Sequence, residues 1–327
     1  MTRRARVSDR VSVVVYADAE ALSAAVAEAI AEVARRSVES QGRFAIALAG
    51  GATPRRAYEL LAEPPLLGVV PWQGVQVFWT DERCVERDDP RSNERMAREA
   101  LLDRVPIPPD RIHPIRCGAD RAERGSDDAR WAKQCARRSA EEYDALLRRL
   151  FQDRDHVGPG GLLHHAGAAG TALDLALLGV GTDGHTASLF PGTEVLHERR
   201  RWAAPVFVPA AAAAGTAAHA AADATAGTAA HAVADATAGT TAHAAADATG
   251  STAADDAGLW RVTLTAPFID MAASVLFMAS GPAKAPVVAE VLEGPPDAGY
   301  LPARLVRPRA GEVRWFLDEA AAALLGK

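Results

Sequence analysis

The 327-residue chain predicts an α/β fold of three layers, αβα, in which a mainly parallel, Rossmann-like sheet lies between helices. Three observations carry the prediction. Short apolar or β-branched runs alternate along the chain with longer amphipathic ones. The apolar runs are near-continuous and lack the in-out alternation of a half-exposed sheet, so helices must cover both faces. Several of these runs also end in glycine-rich or charged loops.

In order along the chain, "VSVVVYA" from Val11 is short and β-branched, hence a strand. Asp18 then stands where it can cap a helix that places Leu22, Val26, Ile30 and Val33 on one face. "FAIALAGG" from Phe44 is a second buried strand, and "AYELLAE" continues as helix. "VQVFWTDER" from Val75 reads as one strand, "SNERMAREALLDRV" from Ser92 as helix, and "RWAKQCARRSAEEYDALLRRLF" from Arg130 as a long helix. "LDLALLGVG" from Leu173 is again strand. "LWRVTLTAPFIDMAASVLFMAS" from Leu259 reads strand, short helix, strand, before a turn carrying Lys284 and a further helix. "VRWFLD" from Val313 closes as strand, and the alanine run after it as helix. One α/β domain is expected over 1–327, broken by two insertions. Residues 210–257 collapse to Ala, Thr, Gly, Asp and His, with a period of twelve marked by Thr216, Thr228, Thr240 and Thr252. Such a segment has almost no large apolar side chain to anchor it and is expected as a mobile surface insertion. His219, His231 and His243 recur in register, but that spacing puts no two on adjacent helical turns, which disfavours a metal site. Residues 158–171, with His164 and His165, form a minor insertion of the same kind.

The formal net charge of -6 gives no general attraction to nucleic acid or to an anionic membrane, so any anion must be held by a local constellation. Cys84, Cys117 and Cys135 have neither an even count nor paired-ligand spacing. They are expected as unpaired thiols in a reducing, cytoplasmic setting. The start is basic, but the apolar run after it meets Asp18 and Glu20 instead of a cleavage site. Nothing approaches the roughly 20 apolar residues of a membrane span.

Ligands of a parallel α/β sheet bind outside the carboxyl ends of the strands, where three loops are expected. "LAGGATP" offers Gly50 and Gly51 for a nest of inward backbone N–H groups, the Thr53 hydroxyl and a helix N-terminus, which together form a phosphate cradle. "WTDER" sets Asp81, Glu82 and Arg83 at a strand end. "GVGTDGHTASLFPG" lacks dinucleotide-fingerprint spacing and delivers His185 two residues after Asp183, with Thr186 and Ser188 beyond. A histidine whose second ring nitrogen is fixed by a carboxylate suits general-base work near neutral pH.

Five blocks in order, "ALAGGATPRRAYELL", "VFWTDERCVERDDPRSNERMAREALL", "DLALLGVGTDGHTASLFPGT", "RVTLTAPFIDMAASVLFMASGPAKA" and "LPARLVRPRAGEVRWFLDEAAA", strongly resemble the 6-phosphogluconolactonase family. The resemblance covers nearly the whole chain apart from the two insertions. It implies the three-layer fold shared with sugar-phosphate isomerases and hydrolysis of 6-phospho-D-glucono-1,5-lactone to 6-phospho-D-gluconate, in the oxidative pentose phosphate pathway. It makes His185 the base, with Asp183 or alternatively Asp81 orienting its imidazole. It puts Gly50, Gly51, Thr53 and Lys284 on the phosphate, Arg83 between phosphate and oxyanion, and Ser92 and Asn93 among the substrate-binding residues. No cofactor and no metal is implied. The expected partner is a small sugar phosphate, with no nucleic acid or membrane, on a monomer or weak oligomer. The glucosamine-6-phosphate isomerase/deaminase branch is the alternative, but "DER" and "DGHTASLFPG" depart from its pattern. A non-catalytic sugar-phosphate sensor would need a DNA-binding module, and no helix-turn-helix-like stretch precedes "VSVVVYA".

Overall fold

The computed structural model describes residues 3–6, 8, 10–117, 128–152, 172–210, 258–295 and 301–326. Both insertions, 158–171 and 210–257, lie outside the described residues except for Ala210. The strands in chain order are β1 (Arg3–Arg6), β2 (Val11–Tyr16), β3 (Phe44–Leu48), β4 (Val75–Trp79) and β5 (Asp81–Arg83), then β6 (Leu175–Gly179), β7 (Ala203–Val208), β8 (Leu259–Leu264), β9 (Ser274–Ala279) and β10 (Glu312–Asp318). The helices are α1 (Ala19–Gln41), α2 (Ala52–Leu61), α3 (Leu66–Val69), α4 (Asn93–Ala97), α5 (Asp128–Phe151), α6 (Ala266–Ile269) and α7 (Ala285–Glu293).

The main sheet runs β1-β2-β10-β9-β6-β3-β4. Every neighbouring pair from β2 to β4 is parallel, and β1 adds antiparallel to β2 at one edge. All residues of β3, β4 and β9 are buried, as strands covered on both faces require. The Asp18 carboxylate caps α1 by accepting the Ala21 N–H at 2.8 Å, and Leu22, Val26 and Ile30 are buried beneath that helix. Val33, read as part of the same stripe, is only partly buried. The central order β9-β6-β3 decides the function, because the loops after these three strands emerge side by side.

Four expectations need correction. The single strand read over 75–83 divides at Thr80, which serves two sheets. Its N–H and hydroxyl both donate to Leu48 of β3, at 2.9 and 3.0 Å, while its carbonyl accepts the Leu264 N–H at 2.8 Å. Asp81–Arg83 therefore leaves the main sheet and joins an antiparallel cover sheet ordered β5-β8-β7. The β7 strand of that cover sheet was not read from the sequence. It contains Pro205, which its edge position tolerates. The helix read over 92–105 is a short α4 followed by a π-helical turn, Arg98–Leu102, and the terminal alanine run forms turns after β10. Cys84 and Cys117, expected as free thiols, form a disulfide with their Cα atoms 4.6 Å apart, which leaves Cys135 as the free, buried cysteine. Among the described residues, no helix is long and apolar enough to cross a membrane.

Candidate active site

The turn after β6 presents His185 by a chain of local contacts. Gly184 adopts φ 78°, in the left-handed region, and a Cβ there would strike Leu301. The Gly184 carbonyl also accepts the Ala303 N–H at 2.9 Å, which ties the turn to the C-terminal loop. The Thr186 hydroxyl donates back to the Gly179 carbonyl at 2.8 Å. Ala187 holds φ 48°, a conformation costly for a residue with a Cβ, at a position that lines the cleft.

His185 is 9% exposed, and its ring stacks on Phe190 with centroids 4.0 Å apart. Its Nδ1 lies 2.5 Å from Asp183 Oδ1, and the same oxygen accepts the His185 backbone N–H at 3.1 Å. An Nδ1 that donates to a carboxylate leaves Nε2 as the lone-pair nitrogen. Burial works against the Asp183 carboxylate, but the side-chain bond to His185, the charge of that imidazole and backbone N–H groups together outweigh it and hold the group below the usual carboxylate range. Of the two carboxylates considered for this contact, Asp183 makes it. Asp81 is turned to other donors: Oδ2 accepts the Ser188 hydroxyl at 2.5 Å, and Oδ1 lies 3.3 Å from Asn93 Nδ2.

The "DER" segment has three separate destinations. Asp81 and Arg83 line the cleft, whereas Glu82 turns inward. Glu82 accepts the backbone N–H groups of Arg83, Asn93 and Glu94 and the Ser92 hydroxyl, and so ties β5 to the start of α4. Burial pushes its carboxyl up to about 7 against those bonds. Ser92 is the cap of α4, accepting the Arg95 N–H at 3.1 Å, and it does not line the cleft as expected. Asn93 does line it, but its Nδ2 donates to the Asp81 carbonyl at 2.8 Å, and its side chain occupies the space a Cβ on Gly50 would need.

The loop after β3 brings Gly50, Gly51 and Thr53 to the cleft wall. No side chain caps α2, so its first amides are left for another acceptor. Tyr58 fixes the loop from behind: its hydroxyl accepts the Ala49 N–H and donates to the Ala49 carbonyl, both at 3.0 Å. Burial drives that phenol well above its ordinary pKa. Across the cleft Lys284 ends a single helical turn, Pro282–Lys284. Asp318 anchors that turn by accepting the Ser280 hydroxyl at 2.7 Å and the Gly281 N–H at 2.9 Å.

Sequence reasoning missed Arg261, a buried residue of β8 that lines the same cleft. It lies opposite Arg83 in the β5–β8 ladder. Only the charged character of a residue inside an apolar strand pattern could have marked it. Among the described residues, no group of three or more His, Cys, Asp and Glu side chains is placed to hold a metal ion.

A buried histidine paired with a partly exposed aspartate at the carboxyl edge of a parallel sheet, with cations from two sheets around it, defines the class: a three-layer α/β protein equipped to handle small anionic molecules. The family model described as glucosamine-6-phosphate isomerases/6-phosphogluconolactonase matches residues 17–218 and 230–315, and the chain belongs to that family. A 6-phosphogluconolactonase of Nostoc sp. is 33% identical over 314 residues, covering 96% of this chain and 98% of the relative. One from Rattus norvegicus is 31% identical over 313 residues, covering 95% and 92%. The solved 6-phosphogluconolactonase of Trypanosoma brucei superposes with a TM-score of 0.65 at 29% identity, covering 96% of this chain and 98% of that one.

Proposed function

We propose that the protein hydrolyses 6-phospho-D-glucono-1,5-lactone to 6-phospho-D-gluconate. The observation that carries the reading is that His185, paired with Asp183 at 2.5 Å, lines one cleft together with the Gly50–Gly51 loop and Lys284. The named lactonases of the family, similar over nearly the whole chain, support it.

A lactone is an activated cyclic ester, so the reaction needs an activated water, an oxyanion partner and a proton for the leaving ring oxygen. In this reading His185 Nε2 accepts a proton from water as its oxygen bonds to C1, and Asp183 stabilises the imidazolium. The tetrahedral oxyanion meets the Arg83 guanidinium. Collapse breaks the bond from C1 to the ring oxygen, which receives the proton His185 took. Gly50, Gly51, Thr53 and Lys284 hold the phosphate, which is remote from C1 and positions it. Asp81, satisfied by Ser188 and Asn93, positions those neighbours instead of the base. Asn93 acts through the loop it packs on, and Ser92 only through α4. The substrate, a phosphorylated metabolite, supports a cytoplasmic location.

The test is turnover of freshly generated 6-phosphogluconolactone by purified protein, run beside glucosamine 6-phosphate. Acceleration of lactone opening without deamination of the amino sugar is expected, and the reverse result would replace this reading with the isomerase one.

A further inference from the structure

Arg83 and Arg261 face each other across an antiparallel ladder, where like charges repel. Arg261 is 5% exposed, and its guanidinium lies over the Phe190 ring at 5.2 Å, the ring that also stacks on His185. Neither arginine's buried Nε has a hydrogen-bond partner among the described residues. The nearby carboxylates Asp81 and Glu82 favour the charged Arg261, but they relieve the pair only in part. Asp81 is taken up by Ser188 and Asn93, and Glu82 by four donors on β5 and α4. Arg83 spends one Nη on the Arg91 carbonyl at 2.6 Å. Burial, with Arg83 beside it, pushes the Arg261 guanidinium down to about 10, so it remains a cation at neutral pH. Two cations held together, one buried and one partly buried, are costly, and a bound anion offsets that cost.

We propose that Arg261 and Arg83 form a second anion subsite in the cleft, which takes the oxyanion developing at C1 and then the carboxylate of the product, while the Gly50–Gly51 loop and Lys284 take the phosphate. The proposal rests on the lactonase reading. Position supports the division of labour: Phe190 links Arg261 to His185, whereas the phosphate loops come from the main sheet. A planar guanidinium fork matches a carboxylate's two oxygens. C1 of the lactone is neutral, so the subsite discriminates reacting and product states from substrate, as transition-state binding requires.

The experiment is calorimetric titration of wild type, Arg261→Gln and Arg261→Lys with 6-phosphogluconate and with glucitol 6-phosphate, which has the phosphate but no carboxylate. Arg261→Gln is expected to weaken 6-phosphogluconate by about ten- to a hundredfold and glucitol 6-phosphate by less than about threefold, with partial recovery in Arg261→Lys. Equal losses on both ligands would assign Arg261 to the phosphate, and no loss on either would make it structural; each result overturns the subsite. Should the variants fail to fold, wild type alone decides. It must bind 6-phosphogluconate at least about tenfold more tightly than glucitol 6-phosphate, and equal affinities overturn the subsite. A wild type that binds neither ligand and opens no lactone overturns the lactonase reading, and this subsite with it.

Discussion

Replacing Asp183 by Asn separates the charge of the histidine's partner from its geometry. Asp183 Oδ1 accepts both the His185 ring N–H, at 2.5 Å, and the backbone N–H, at 3.1 Å. An amide oxygen in the same place keeps both bonds and the ring tautomer, so only the negative charge beside the imidazolium is lost. A charge-assisted hydrogen bond contributes about 1.5–3 kcal/mol. The Asp183 side chain is 38% exposed, so solvent screens part of that contribution and the lower half of the range applies. About 1.5–2 kcal/mol corresponds to a fall in kcat of roughly 10- to 30-fold. KM should stay within about twofold, because Asp183 does not line the cleft and uniform binding is untouched. The assay is initial-rate hydrolysis of the phosphorylated lactone, with the uncatalysed rate subtracted. Wild-type kcat in a folded Asp183→Asn protein, or a loss confined to KM, would refute the reasoning.

Two further outcomes follow from the cleft and its cover sheet. Lys284→Ala should lower kcat/KM on the phosphorylated lactone by about ten- to a hundredfold and leave unphosphorylated gluconolactone nearly unchanged; equal losses on the two would remove Lys284 from the phosphate. Residues 210–257 join β7 to β8, and these strands already pair with Val208 opposite Leu259. Replacing the segment with a short turn should therefore keep kcat/KM and the thermal midpoint close to wild type, since closure entropy changes only slowly with loop length. An unfolded or inactive product would make the segment structural.

The parts of the fold that were legible in the sequence were those decided locally. β3, β6 and β9 are covered on both faces and so are apolar apart from Ser274, and the turn holding Asp183 and His185 is a contact between residues two apart. What depended on distant partners was hidden. Nothing in "VQVFWTDER" shows that Thr80 bonds Leu48 on one side and Leu264 on the other, which swings Asp81 and Arg83 into the cover sheet. Arg261 sits in a run that reads as ordinary strand, and its meaning comes from a register that sets it opposite Arg83. Ser92 was placed among the substrate-binding residues by the family resemblance, yet its hydroxyl is used as a helix cap and on Glu82. Pro205 masked β7, because a strand containing proline is admissible only at an edge, and edges are a property of the assembled sheet.

In the proposed mechanism His185 activates the water that opens the lactone. This role is tested most directly by the kcat of His185→Ala on 6-phosphogluconolactone, measured beside the variant's circular dichroism and its binding of 6-phosphogluconate. A fall of about 10² to 10⁴ in kcat, with fold and binding retained, is expected. Near-normal turnover in a folded His185→Ala protein would contradict it.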